Sequence, residues 1–101
     1  IQAATLFATQ VPLHTMQASF KVFELCKAMA EEGNPNSVSD AGVGVLAARA
    51  AVLGAGLNVK INASGLKDRE AADKLVGEAN ELIKKANELE TEIMKIVEDK
   101  L

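Results

Sequence analysis

Residues 33–40 read Gly33-Asn34-Pro35-Asn36-Ser37-Val38-Ser39-Asp40, and this polar stretch lies between two long segments with helical patterns. Gly33 suits the left-handed residue that closes a helix, and Pro35 cannot continue a helix, so the chain is expected to turn here. Ser37 is the expected N-cap of the next helix, and Asp40 stands three residues on, in the capping-box position. The stretch therefore predicts a loop that separates two helices.

The segment after this loop is predicted to be a helix from about Val38 to Ala63, built largely from alanine and glycine. Glycine in a helix interior costs about 1 kcal/mol relative to alanine, so this composition indicates close packing against neighbouring helices. Small residues also recur at i,i+4 spacing, in the pairs Gly44–Ala48, Ala47–Ala51 and Ala50–Gly54. A membrane span would have similar composition, but the central Arg49 and the lack of an aromatic belt argue against a membrane protein.

Helical patterns flank this segment on both sides. Residues 1–10 have the pattern of the end of a helix, and Pro12 either kinks this helix or starts a new one. Residues 13–32 have a helical pattern with apolar stripes opposite a charged face. Asp68 is the expected N-cap of a third helix, which starts at Arg69 and runs to the end of the chain. Its apolar residues alternate in spacings of four and three, at Leu75, Ala79, Leu82, Ala86, Leu89, Ile93 and Ile96. We therefore predict an all-α fold, an antiparallel multi-helix bundle of three long helices with the first kinked at Pro12.

The composition narrows the possible functions. A chain of 101 residues suffices for one small domain, and a net charge of -3 argues against a nucleic-acid-binding surface, as does the lack of Trp and Tyr. The single cysteine, Cys26, and the lack of a signal peptide are typical of a cytoplasmic protein. Because the chain starts at Ile1 and its first residues already resemble the middle of a helix, we expect a piece of a longer polypeptide.

Three isolated residues have ordinary structural interpretations. His14 is expected at the surface or near a helix start, and Cys26 is expected to be an inert thiol in the core. Arg49 is expected to form an ion pair with a carboxylate of a neighbouring helix, the alternative being a contact with an anionic ligand tail. No HExxH, CxxC or phosphate-binding glycine motif occurs in a suitable context, so no metal site is predicted.

Two polar clusters are better candidates for chemistry. The first is the loop, where free backbone N–H groups, amides and a carboxylate could bind a polar heterocycle and move a proton, through Asn34, Asn36, Ser37, Ser39 and Asp40. From the residues alone, a well-capped loop is the simpler explanation. The second cluster is Asn58, Lys60 and Asn62, where amides inside a helix suggest hydrogen bonds to groups outside it.

The two clusters lie on one helix and cannot meet within it. Asp40 and Asn58 are eighteen residues apart, which places them on the same face but about 27 Å apart along the axis. An antiparallel second copy of the helix would bring them together. We therefore expect a homodimer or higher homo-oligomer with contact through the alanine- and glycine-rich helix.

Three segments, in this order, resemble one known family: Val11-Pro12-Leu13-x-Thr15-Met16, then Gly33-Asn34-Pro35-Asn36-Ser37-Val38-Ser39-Asp40-Ala41-Gly42-Val43, then Gly54-Ala55-x-Leu57-Asn58-Val59-x-Ile61-Asn62. They are similar to the cyclodeaminase domain of the formiminotransferase-cyclodeaminases, which the related methenyltetrahydrofolate cyclohydrolases share. The resemblance covers residues 1–101 but only about the C-terminal half of that domain. It implies that the missing N-terminal half is a partner of this segment.

The resemblance also implies an oligomeric, all-helical enzyme whose substrate is a tetrahydrofolate derivative and which needs no metal. The first implied reaction is cyclodeamination of 5-formiminotetrahydrofolate to 5,10-methenyltetrahydrofolate with release of ammonia. The alternative is hydrolysis of the methenyl ring to 10-formyltetrahydrofolate, and a helical scaffold without catalysis is an alternative of another class. Both reactions need a proton delivered to a leaving nitrogen. The resemblance carries Asp40 over as acid/base or pterin anchor, and it carries over as ligand-binding residues Asn34, Asn36, Ser37, Ser39, Asn58 and Asn62.

Overall fold

The fold is a rod of three long helices, described for all residues 1–101 in a computed structural model. The helices are α1 (Gln2–Glu32), α2 (Pro35–Ala63) and α3 (Arg69–Lys100), and the rod measures 51 × 18 × 15 Å. Two short connections make α2 antiparallel to both α1 and α3, and each helix contacts the other two. The predicted all-α bundle of three long helices is confirmed.

The turn between α1 and α2 forms as a glycine-terminated helix followed by a proline-initiated one. Gly33 has φ 76°, the left-handed conformation expected of a residue that closes a helix. The side chain of Asn34 accepts a hydrogen bond from the backbone N–H of Asn36 at 3.0 Å, and Pro35 is the first helical residue. Proline suits this position because it has no N–H to leave unpaired and its φ is already helical.

The predicted N-cap at Ser37 is therefore wrong, since α2 begins at Pro35 with Asn34 as its cap. Asp40 consequently lies in the second turn of α2, beyond the free backbone N–H groups that a capping box would use. The capping-box role expected of Asp40 is wrong for the same reason. Its carboxylate is exposed and takes no part in an ion pair within the chain.

The third helix follows its sequence pattern closely. Asp68 caps α3 by accepting a hydrogen bond from the backbone N–H of Ala71 at 3.1 Å. The predicted heptad positions face inward, four of them buried and three partly buried. The buried ones are Leu75, Ala79, Ala86 and Ile93, and the partly buried ones are Leu82, Leu89 and Ile96.

The buried face of α2 repeats every seven residues and forms the centre of the core, through Val38, Val45, Val52 and Val59. Its glycines permit close helix contacts, as their number predicted. A Cβ on Gly42 would lie 3.2 Å from Val97, and one on Gly56 would lie 2.9 Å from Ile83. Gly54 is different, because no side chain lies within 4 Å of the place where its Cβ would be.

The opposite face of α2 is also apolar and is exposed. We call it the outer stripe; its residues are Val43, Leu46, Ala50, Gly54, Leu57 and Ile61. A helix that is apolar on all sides is normally buried on all sides. By length and composition, α2 is the one helix that could also cross a membrane, a test that core helices of soluble proteins pass as well.

Candidate functional site

A shallow hollow opens between α1 and α2, with a volume of about 430 Å³. Its lining residues are Val11, Pro12, Thr15, Ala51, Ala55, Asn58 and Asn62. The volume lies within the range of roughly 300–1,000 Å³ that is typical of small-molecule sites. Two of the three segments that carry the family resemblance, residues 11–16 and 54–62, meet at this hollow.

The end of the hollow near Asn62 is fixed by a hydrogen bond between the two helices. The Nδ2 of Asn62 donates to the backbone carbonyl oxygen of Ala8 at 3.2 Å. In an uninterrupted helix this oxygen would accept from the N–H of residue 12, but Pro12 has none. Asn62 thus makes the external hydrogen bond expected of an amide inside a helix, and its Oδ1 makes no hydrogen bond within the chain.

The middle of the hollow offers polar groups with hydrogen-bonding capacity to spare. Asn58 is exposed, and its side chain makes no hydrogen bond to another residue, so it presents both a donor and an acceptor. The hydroxyl of Thr15 donates to the carbonyl oxygen of Val11 at 3.3 Å and keeps its lone pairs for a further contact. Amides at the rim and an apolar floor suit a flat, polar heterocycle.

The loop cluster lies at the opposite end of the bundle. Asn34 uses its side-chain oxygen as the N-cap of α2, Ser37 is partly buried, and the remaining members of the cluster are exposed: Asn36, Ser39 and Asp40. Asp40 and Asn58 stand on the same helix, eighteen residues apart, so about 27 Å of helix separates them. A single chain therefore does not bring the two predicted clusters together.

Sequence reasoning missed the contribution of α1 to the hollow. Pro12 and Thr15 were part of the resemblance but not of the predicted site, because the register between α1 and α2 is set by tertiary packing. The sequence did contain a signal for the contact between α1 and α2. A proline inside a helix leaves an acceptor without its donor, and an asparagine inside another helix has a donor to offer, as Pro12 and Asn62 do.

Two of the three isolated residues, His14 and Cys26, lie where the sequence predicted them. His14 is exposed on α1, beside a cleft of about 320 Å³ against α3, as a surface histidine was expected to be. Cys26 is buried, and its burial raises the pKa of the thiol. Both observations agree with the inert core thiol that the sequence predicted.

The ion pair expected for Arg49 is wrong. Its Nε donates at 2.7 Å to the Oδ1 of Asn87 on α3, a neutral amide, and no carboxylate lies within ion-pair distance. An ion pair does form elsewhere, between Lys27 on α1 and Glu92 on α3 at 2.9 Å. The hydrogen bond to Glu92 and its negative charge raise the pKa of Lys27. No group of three or more His, Cys, Asp or Glu side chains is placed to hold a metal ion.

Known proteins resemble the chain over most of its length. The family model described as Formiminotransferase-cyclodeaminase matches residues 1–81. A methenyltetrahydrofolate cyclohydrolase of Methylorubrum extorquens is 42% identical over 101 residues, which are 100% of this chain and 49% of that protein. A formimidoyltransferase-cyclodeaminase of Dictyostelium discoideum is 33% identical over 100 residues, 99% of this chain and 19% of that protein. The chain thus spans half or less of the length of these relatives.

Proposed function

Since the chain belongs to the formiminotransferase-cyclodeaminase family, we propose that it forms part of an enzyme of folate one-carbon metabolism. In this proposal the hollow between α1 and α2 binds a tetrahydrofolate derivative. One observation carries it: two family-like segments, separated in sequence by residues 17–53, converge on the same hollow. The side chain of Asn58 and the Oδ1 of Asn62 make no hydrogen bond within the chain, so they are available to a ligand.

The residues of the hollow suit a pterin ring. The ring of Pro12 and the methyl groups of Ala51 and Ala55 form an apolar floor against which a flat heterocycle packs. The amide of Asn58 and the free Oδ1 of Asn62 provide a donor and acceptors, which match the acceptors and donors on the amide edge of a pterin. The remaining members of the predicted substrate-binding set, Asn34, Asn36, Ser37 and Ser39, lie outside this hollow, at the start of α2.

The proposed reaction makes or breaks a bond at the carbon between N5 and N10 of tetrahydrofolate. In cyclodeamination, N10 bonds to the formimino carbon, the bond from that carbon to its exocyclic nitrogen breaks, and the nitrogen leaves protonated as ammonia. A second candidate is cyclohydrolysis, in which water adds to the methenyl carbon and the bond to N5 breaks as N5 gains a proton. The chain is 42% identical over its whole length to a cyclohydrolase, and this similarity favours cyclohydrolysis as the second candidate reaction.

Both reactions need a group that delivers the proton, and Asp40 is proposed for that role. It is the carboxylate of the matched loop segment, and it is exposed and unpaired. No carboxylate lines the hollow of a single chain. A carboxylate must therefore reach the hollow from outside it if it is to act on a ligand bound there.

Steady-state assays with both substrates test the proposal. Ammonia release from 5-formiminotetrahydrofolate reports cyclodeamination, and loss of the near-ultraviolet absorbance of 5,10-methenyltetrahydrofolate reports cyclohydrolysis. We expect Asn58→Ala to lower kcat/KM about fivefold to tenfold, since a lost hydrogen bond is worth about 1–1.4 kcal/mol. The matched control is Asn80→Ala, which removes an exposed amide of α3 remote from the hollow.

Two results would overturn this assignment. One is a wild-type protein that neither turns over these substrates nor binds tetrahydrofolate, which is what a purely structural helical segment would give. The other is an Asn58→Ala variant with the same kcat/KM as Asn80→Ala, which would move the substrate away from the hollow. The ratio of the two wild-type activities decides between cyclodeamination and cyclohydrolysis.

A further inference from the structure

A second concave site, the cleft between α1 and α3 beside His14, shares no residue with the hollow between α1 and α2. Its volume of about 320 Å³ is at the lower end of the range that is typical of small-molecule sites, roughly 300–1,000 Å³. Each helix contributes one face to it, at spacings of three, four and seven residues. The cleft is therefore a separate candidate site, and the folate chemistry proposed above makes no use of it.

The polar side chains of the cleft have unused hydrogen-bonding capacity. Five of them make no hydrogen bond and no ion pair within the chain: Gln10, His14, Gln17, Lys74 and Glu78. Two of the five, Gln10 and Glu78, are also partly withdrawn from solvent. A concave place with an apolar lining and a few convergent polar groups is typical of a site for a small polar molecule.

The cleft presents one positive and one negative charge, both on α3. Lys74 and Glu78 are one turn apart, which is about 6 Å along the helix axis, and no ion pair joins them. Their order, with the lysine before the glutamate, is the less favourable one for pairing within a helix. Both charges are thus available to a ligand that carries the opposite charges close together.

The register of the two helices places polar groups of α1 beside each charge. Gln17 and Glu78 lie together, because both also line a neighbouring groove to which Glu81 adds a second carboxylate. Since α1 and α3 run in the same direction, His14, one turn before Gln17, lies level with Lys74, one turn before Glu78. One end of the cleft is therefore acidic, and the other end offers donors.

The apolar part of the cleft consists of leucines from both helices. Leu13 and Leu75 are buried at 4% and 8% exposure, and Leu6 packs partly buried against the same core. An aliphatic side chain that enters the cleft removes further apolar surface from water here, which favours binding.

We propose that this cleft binds a free α-amino acid with an aliphatic side chain, such as L-leucine. The carboxylate of the amino acid accepts hydrogen bonds from Lys74 and His14, and its ammonium group donates to Glu78 and Gln17. The two charged groups of an α-amino acid are joined through a single carbon, and a hydrogen bond at each end spans the turn between Lys74 and Glu78. Binding at this site does not rest on the proposed folate function.

Isothermal titration calorimetry of the protein with four small molecules tests the proposal. L-leucine carries all three recognised groups, whereas L-leucinamide lacks the carboxylate, 4-methylpentanoate lacks the ammonium group and glycine lacks the side chain. We expect saturable binding of L-leucine. Each of the other three molecules is expected to bind about tenfold more weakly or worse, since each loses one set of contacts.

Two substitutions locate the contacts, and each is paired with the molecule that lacks the matching group. Lys74→Met is expected to raise the Kd of L-leucine about tenfold and to leave that of L-leucinamide unchanged, because leucinamide has no carboxylate to lose. Glu78→Gln is expected to act in the same way on L-leucine, and to leave 4-methylpentanoate unchanged. Both replacements are good helix formers, and circular dichroism checks that the helix content is kept.

Two control variants are expected to bind L-leucine as the wild type does. Lys95→Met removes an exposed lysine of α3 that does not line the cleft, and Asn58→Ala alters only the hollow. A loss of L-leucine binding in Asn58→Ala would put the amino acid in the hollow and overturn the separate site.

Three further results would overturn the proposal. The first is the absence of saturable L-leucine binding up to the solubility limit of the amino acid. The second is equal affinity for L-leucine and for L-leucinamide or 4-methylpentanoate, because a ligand recognised through one charge is not an amino acid. The third is an unchanged Kd of L-leucine in both Lys74→Met and Glu78→Gln, which would place the binding outside the cleft.

Discussion

The side chain of Asn62 donates a hydrogen bond to the carbonyl oxygen of Ala8, at 3.2 Å from Nδ2. That oxygen is the acceptor that Pro12 leaves without a donor, because proline has no N–H. One amide on α2 thus replaces a missing backbone hydrogen bond of α1 and joins the two helices. This explains why α1 continues unbroken through Pro12 and how the two helices are held in register beside the hollow.

This relationship predicts a coupling between the two positions. Asn62→Ala should lower the free energy of unfolding by about 0.5–1 kcal/mol, since the site is exposed and water partly replaces the lost donor. In a Pro12→Ala background the same substitution should cost much less, because the N–H of Ala would then bond to Ala8. Urea denaturation of the four proteins gives the coupling energy directly. A coupling of zero would show that Asn62 and Pro12 act independently.

The parts of the fold that depend on local sequence were predicted well. Gly33 closes α1, Asp68 caps α3 and the heptad positions of α3 face inward, and each follows from residues within a few turns. The N-cap of α2 was misplaced by three residues because Ser37 looked like a good cap, whereas Pro35 begins the helix. The contact of Arg49 with Asn87 and the hollow at Pro12 depend on the register between helices, which no local pattern determines.

The space beside two glycines, Gly44 on α2 and Gly77 on α3, gives opposite predictions for them. A Cβ on Gly44 would lie 2.7 Å from the Sγ of Cys26, whereas one on Gly77 would meet nothing within 4 Å. Gly44→Ala should therefore destabilise the protein by about 1–3 kcal/mol, and Gly77→Ala should stabilise it by up to about 1 kcal/mol. Thermal and urea unfolding measure both. Adding Cys26→Ala to Gly44→Ala should recover part of the loss, and a Gly44→Ala protein as stable as wild type would rule out the close contact.

The contact between Arg49 and Asn87 predicts a stabilising substitution. Asn87→Asp keeps the size of the side chain and places a carboxylate where the Nε of Arg49 already donates at 2.7 Å. We expect a gain of about 0.5–1 kcal/mol, because the carboxylate adds a Coulombic attraction to the positive charge of the guanidinium. Asn80→Asp adds the same charge to an exposed position of α3 and is the control. The gain should shrink with added salt, and an equal effect of the two substitutions would contradict it.

The burial of Cys26 predicts a loss of stability at alkaline pH. Its pKa in the folded protein is raised above the ordinary value of 9.0, so around that pH the unfolded chain releases the thiol proton before the folded chain does. The free energy of unfolding should thus be unaffected by this group below about pH 8 and should fall as the pH rises through 9 and beyond. Cys26→Ala should remove this part of the decline. The same slope in both proteins between pH 8 and 10 would contradict the shift.

The ends of α1 and α3 are joined by Lys100, whose Nζ donates at 2.7 Å to the carbonyl oxygens of both Ala30 and Glu31. These oxygens belong to the last turn of α1, where no helix N–H reaches them and where a positive charge is favourable. Lys100→Met keeps the apolar stem and removes the donors, so it should lower stability by about 1 kcal/mol and increase amide exchange at the neighbouring turn.

Lys95→Met is the matched control for this last substitution, since Lys95 is an exposed lysine of α3 that makes no hydrogen bond or ion pair. The loss caused by Lys100→Met should appear first in the exchange of the amides of Gly33, Asn34 and Asn36, because the helix end that they follow is no longer held against α3. Faster exchange along the whole of α3 instead would mean that Lys100 stabilises its own helix end. In that case the contact with Ala30 and Glu31 would not be what fixes the turn before the loop cluster.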